Sequence, residues 1–102
     1  MTDQAGPDRT GPAILDIGPG VGALLLYAPP ALQGRVIEVS PVNEAARRTH
    51  TEVLERVWSN LRAHTAVFAA LPPGDYLVWG VDGTARSRVT ITAGSVTELD
   101  WR

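Results

Sequence analysis

The sequence predicts an all-β chain, a two-layer antiparallel β-sandwich of about seven to eight strands. Three observations carry this expectation. Turn signals recur at short intervals along the chain, and the runs between them are rich in Val, Ile, Thr and aromatic residues, which suit a pleated, half-buried surface. The break at Leu71-Pro72-Pro73-Gly74-Asp75-Tyr76 is firm, because Pro cannot donate to a ladder and Gly accepts positive φ. It separates two apolar runs and reads as strand, corner, strand.

Taken in order, the first strand is expected over Ala13 to Ile17, closed by Gly18-Pro19-Gly20, and the second over Ala23 to Tyr27, closed by Pro29-Pro30. The third runs from Arg35 to Val39, with Pro41 ending the run. The fourth and fifth, Thr49 to Val57 and Arg62 to Ala70, flank Trp58-Ser59-Asn60-Leu61 and read as a hairpin. In the fifth, Ala63, Thr65, Val67, Ala69 and Leu71 share one face and Arg62, His64, Ala66, Phe68 and Ala70 the other. The sixth is Tyr76 to Trp79, followed by the turn Val81-Asp82-Gly83-Thr84. The seventh and eighth, Arg88 to Thr92 and Val96 to Trp101, meet at Ala93-Gly94-Ser95 and are expected to form a hairpin. Glu and Arg favour helix, so Val42 to Arg48 is compatible with a short helix, and Glu52 to Trp58 fits a helical face as well as a strand.

With 102 residues the chain makes one domain, residues 13–102, able to bury roughly 60 to 65 per cent of its unfolded surface. Residues 1–12 read as a flexible tail without the basic and apolar regions of a signal peptide. There is no cysteine, which excludes disulfide frameworks and thiolate chemistry and makes the cytoplasm the expected compartment. All nine basic residues are Arg, set against eleven carboxylates, and the net charge of -2 gives no electrostatic case for nucleic acid or an anionic membrane. No apolar run is long enough for a membrane span.

One stretch imitates a cofactor loop. Ile14-Leu15-Asp16-Ile17-Gly18-Pro19-Gly20-Val21-Gly22 resembles the first motif of Rossmann-like S-adenosylmethionine-dependent methyltransferases, and Glu38 stands 22 residues after Asp16, where those enzymes hold ribose. The resemblance implies that Gly18, Gly20 and Gly22 admit the cofactor. Against it, the motif needs a helix after Gly22, while Pro29-Pro30 ends any helix there and Leu24-Leu25-Leu26-Tyr27 is apolar all round. A Gly-rich turn between strands accounts for the same residues, and no cofactor is expected.

From Val67 onward the order of apolar strand, Leu-Pro-Pro-Gly-Asp-Tyr corner, strand and Asp-Gly turn resembles prealbumin-like sandwiches. Carboxypeptidase regulatory-like domains and the B-type repeats of bacterial surface adhesins are the most similar, through Leu71, Pro72, Gly74, Asp75 and Tyr76. The Asp-x-Gly start and Thr-Glu-Leu-Asp-Trp ending also resemble a group of short bacterial proteins. The resemblance implies a prealbumin-like or Ig-like sandwich. The transthyretin-like hydrolases of this fold end in Tyr-Arg-Gly-Ser, whereas this chain has Leu99-Asp100-Trp101-Arg102, and no serine lies in a Gly-x-Ser-x-Gly elbow. No catalytic residue is therefore expected.

Two groups of residues invite a functional reading. His50 and His64 are the only histidines, and with the hairpin turning at Ser59-Asn60, His64 faces Glu55 and His50 faces Ala69. Two His with Glu55 or Glu52 offer ligands for zinc or copper, and surface or cross-strand paired histidines are the alternative. Trp58, at the expected turn tip, is a candidate contact for a protein partner or a second copy of the chain, with folding back onto the sandwich edge as the alternative. Arg47, Arg48, Arg56 and Arg62 are interleaved with Glu44, Glu52 and Glu55, which suits a solvated surface. Tyr76 is expected to plug the corner with its hydroxyl on backbone, and Trp79 and Trp101 to lie in the core or at its rim. The expectation for the whole is a non-enzymatic interaction module, self-pairing or binding a protein partner, with metal or small-ligand binding as the alternative.

Overall fold

Eight strands in two facing four-stranded sheets form a β-sandwich in a computed structural model that describes residues 17–58 and 60–102, with Trp58 described by its backbone alone. The strands are β1 (Gly22–Ala28), β2 (Val36–Pro41), β3 (Thr49–Glu52), β4 (Leu54–Trp58), β5 (Leu61–Leu71), β6 (Gly74–Trp79), β7 (Ala85–Ile91) and β8 (Val96–Asp100). One sheet has the order β4-β5-β1-β8 and the other β3-β2-β6-β7. The expected tail and all but the last residue of the expected first strand lie outside the described residues, and Ile17 belongs to no strand.

Alternation within the strands sets the core. Leu24, Leu26 and Ala28 of β1 and Ala66 and Phe68 of β5 face Ile37, Val39, Tyr76, Val78, Val89 and Ile91 of the other sheet, with Val53 and Trp101 closing the cluster. The face reading of β5 holds for Ala66 and Phe68, while Leu71 reaches the core through a register shift between Gly22 and Leu24. Trp101 is buried, its indole N–H donating to Ser87 Oγ at 3.0 Å. Trp79 instead lies opposite Glu38 on the outer face of its sheet, half-buried, because the buried alternation passes through Val78.

The expected hairpin between the last two strands does not form. β7 pairs with β6 in one sheet, and β8 runs parallel to β1 in the other. Gly94 adopts φ 78°, its N–H donating to Val21 O, while Ala23 N–H donates to Ser95 O, so the turn residues bind β1 and its approach rather than closing a two-strand ladder. The turn chemistry was legible, but the same glycine serves an arch between sheets as well as a hairpin.

The long fourth strand is also divided. β3 pairs with β2, and β4 pairs with β5 in the opposite sheet, the change of sheet falling at Val53. This valine is fully buried, donates to Arg35 O at 2.9 Å and accepts from Gly34 N–H at 2.8 Å. Residues 42–48 form successive turns, not a helix. Glu44 N–H donates to Pro41 O and Arg47 N–H to Glu44 O, single-turn bonds that are not propagated.

The glycine-rich stretch leads directly into a strand. Gly22 opens β1 where a methyltransferase cofactor loop needs a helix, the one helical segment among the described residues before β2 being the 3-10 turn Pro30–Leu32, and Asp16 lies outside the described residues. Gly22 has a packing reason: a Cβ there would run into the Thr92 carbonyl and lie 2.8 Å from Ile91 Cγ2.

Val53 is the point on which both sheets turn, and Val53→Ala removes two buried methyl groups at a site held by backbone on both sides. A loss of about 2 kcal/mol is expected, seen as a fall of roughly 10 °C in Tm by thermal denaturation.

Candidate interaction edge

The two sheets leave four edge strands, and β4 differs from the other three. β3 is four residues long and polar, Thr49-His50-Thr51-Glu52. β7 buries Val89 and Ile91 and exposes Arg88, its Thr90 carbonyl accepts from Thr97 Oγ1 of β8 at 2.8 Å, and neither β7 nor β8 carries an exposed large apolar side chain. β4 has no Pro and no register shift, and it exposes Leu54 (39%) and Val57 (58%), with Leu61 (48%) following across the hairpin turn. Among the described residues it is the edge strand that presents large apolar side chains to water, the feature that natural sheet edges ordinarily suppress.

The direction of the backbone groups on β4 follows from the ladder. Ala23 N–H donates to Ser95 O, and Tyr27 O accepts from Trp101 N–H, so Ala23, Leu25 and Tyr27 point toward β8. Leu24, Leu26 and Ala28 then point toward β5, and pair with Phe68, Ala66 and His64. The intervening Thr65, Ala63 and Leu61 point toward β4 and bind Leu54, Arg56 and Trp58. Glu55 and Val57 are left with N–H and C=O directed outward. Val53, two residues earlier, confirms the parity, since its own groups point away from β5 to Gly34 and Arg35.

Arg56 lies between these two residues. Its Nη1 donates to Thr65 O at 2.6 Å and to Thr65 Oγ1 at 2.9 Å, and burial draws its guanidinium below the usual arginine range. No carboxylate pairs with it among the described residues. On the opposite parity Glu55 pairs with Arg62 at 3.2 Å.

The residues singled out from the sequence are dispersed. Glu55 and His64 are cross-strand partners, as the hairpin register implies. His50, however, lies in the other sheet opposite Glu38 rather than Ala69, because the chain changes sheet at Val53. Among the described residues no group of three or more His, Asp or Glu side chains is placed to hold a metal ion. Trp58 occupies the last position of β4, opposite Leu61, and its side chain lies outside the described residues. Glu38, the residue aligned with a ribose ligand, binds Arg48 at 3.0 Å, and that guanidinium stacks 3.7 Å from the Trp79 ring centroid. The outward groups of Glu55 and Val57 were not identified from sequence, where Thr49 to Val57 reads as one strand without the change of sheet at Val53.

The corner carries a concave surface. An open groove of about 660 Å³ runs between Pro41–Arg47 and Leu71–Tyr76. Tyr76 donates its hydroxyl to Pro72 O at 2.6 Å, the expected plug, and burial raises its phenol pKa. Asp75 is bound by Arg88 at 2.9 Å and Thr90 Oγ1 at 2.8 Å, which hold its carboxyl below the usual range. Both polar groups are thus committed to the fold.

Comparison with protein-family models, with curated proteins and with solved structures finds no match to this chain. Among the described residues no helix is long and apolar enough to cross a membrane.

On the outer face of the same sheet as β4, Tyr27 donates to Glu98 Oε2 at 3.0 Å under the Arg102 guanidinium. Burial, reinforced by Glu98, pushes its phenol up to about 12. The folded pKa exceeds the unfolded value of 10.0, so the stability this tyrosine contributes is complete below pH 10 and is lost as the pH rises through about 12. Urea midpoints of the wild-type chain should fall over that interval, and Tyr27→Phe should lessen the fall.

Proposed function

We propose that this chain is a non-enzymatic interaction module that pairs with itself by adding a strand to the β4 edge. The observation that carries the reading is the conjunction on β4 of outward backbone groups at Glu55 and Val57 with exposed Leu54, Val57 and Leu61. Main-chain hydrogen bonds would supply affinity, and the apolar side chains would supply the burial that makes such pairing favourable in water. The commitment of Asp75, Tyr76, Glu38 and Arg48 to structural contacts supports a binding role over a catalytic one. The corner that carries the prealbumin-like resemblance, with Tyr76 bonded to Pro72, supports that assignment of the sandwich. The absence of cysteine suits a reducing compartment, which fits a cytoplasmic protein.

The test uses a proline. Val57 directs its N–H away from β5, so Val57→Pro removes an outward donor and leaves the intramolecular ladder intact. Light scattering across a concentration series should show wild-type mass rising from monomer to dimer, with Val57→Pro remaining monomeric at an unchanged circular dichroism spectrum. A wild-type chain that stays monomeric up to millimolar concentration would overturn the reading.

A further inference from the structure

We infer that the partner strand on β4 is β4 of a second copy, antiparallel and centred on Val57, an inference that rests on the proposed edge pairing. Two identical strands side by side in one sheet, related by a two-fold axis perpendicular to it, must place some residue opposite itself. β4 offers few such centres, and electrostatics separates them.

Centring on Glu55 sets Glu55 against Glu55 of the second copy and brings Val53 opposite Val57. Like charges directly opposite are unfavourable, and Val53 has no groups to offer, since its N–H and C=O are already bound by Arg35 and Gly34. Centring on Arg56 sets two guanidinium groups against each other in the closer, non-hydrogen-bonded type of pair. Arg56 already has no carboxylate partner among the described residues, and burial already disfavours its charge. A second guanidinium there adds repulsion that nothing described on this face offsets.

Centring on Val57 removes both conflicts. Val57 meets Val57, the most exposed large apolar residue of the chain's described part covering its own equivalent. Because the N–H and C=O of Val57 point outward, the central pair exchanges two main-chain hydrogen bonds. Arg56 of each copy comes opposite position 58 of the other, so neither guanidinium is set against its own equivalent. The two four-stranded sheets ending in β4 become one continuous sheet of eight strands. The strand is therefore self-complementary about one residue, which points to a second copy ahead of an unrelated extended peptide.

The chain has no cysteine, so single substitutions report the register without interference. In a hydrogen-bonded antiparallel pair opposed Cα atoms lie about 5.5 Å apart, inside the roughly 4.4–6.8 Å range a disulfide spans. Glu55→Cys, Arg56→Cys and Val57→Cys are each oxidised mildly at a concentration where the wild-type chain is dimeric by light scattering. Covalent dimer is expected predominantly from Val57→Cys, with the other two, displaced along the strand, remaining monomeric on non-reducing gels. Predominant linking from Arg56→Cys or Glu55→Cys, with the mass still dimeric, would overturn the Val57 register and leave edge pairing standing. As a second measurement, Arg56→Glu is mixed with wild type. Preferential heterodimer formation would show Arg56 facing Arg56 and overturn the register; no preference for mixed over like pairs is expected. A monomer at every concentration would overturn the edge reading itself.

Discussion

The fold depends on a single residue's change of sheet. Val53 is buried in the core, and its main-chain groups are tied to Gly34 and Arg35, so the backbone there belongs to neither β3's ladder nor β4's. Before it the chain pairs with β2; after it the chain pairs with β5. A β-branched side chain at this point anchors the crossing by packing, and the two hydrogen bonds meet the demand that buried backbone polar groups be satisfied. The position of the crossing also decides that β4 is an edge and which of its residues point outward. A crossing displaced by one residue would exchange the roles of Glu55 and Arg56.

Polar chemistry in this protein is spent on closing the sandwich. Ser40 is fully buried on the outer side of its sheet and accepts the Trp79 indole N–H at 3.0 Å, beneath the Arg48 guanidinium. Arg48 also reaches Glu38 and the Ala45 carbonyl, so one side chain fastens the loop of residues 42–48 to the face it covers. At the opposite end Asp82 accepts from the Thr84 N–H and hydroxyl and fixes the turn between β6 and β7. Each of these groups has a structural partner, and none is left converging on open space.

The sequence disclosed local structure better than connectivity. Pro72-Pro73-Gly74 and Asp82-Gly83 announced breaks whose residue types admit few alternatives, and the alternation in β5 correctly separated Ala66 and Phe68 from Ala63 and Thr65. The Ala93-Gly94-Ser95 turn was equally plain, yet a positive φ at Gly94 is required by an arch between sheets as much as by a hairpin. Nothing local distinguishes the two; the choice lies in β1, whose outward groups claim β8 from the far side of the chain. Histidine placement failed for the same reason. His64 met Glu55 because their pairing is set within one hairpin, whereas His50 was carried into the other sheet by the crossing at Val53. The interaction edge was half legible, through the apolar content of residues 54–58, but which groups of β4 are spent on β5 depends on parity transmitted from β8 through β1 and β5.

That parallel pairing of β1 with β8 has a bearing on the order in which the molecule assembles. The hairpins β4–β5 and β6–β7 join segments close in sequence and can form on the microsecond scale, whereas β1 must find partners about forty and seventy residues away. Until residues 96–101 arrive, the run Gly22-Ala23-Leu24-Leu25-Leu26-Tyr27-Ala28 presents an unpaired main-chain side with leucine on both faces. Sheet closure is therefore slow and late, and until β8 pairs with it β1 remains an apolar strand with an open main-chain side, available to other unfolded chains.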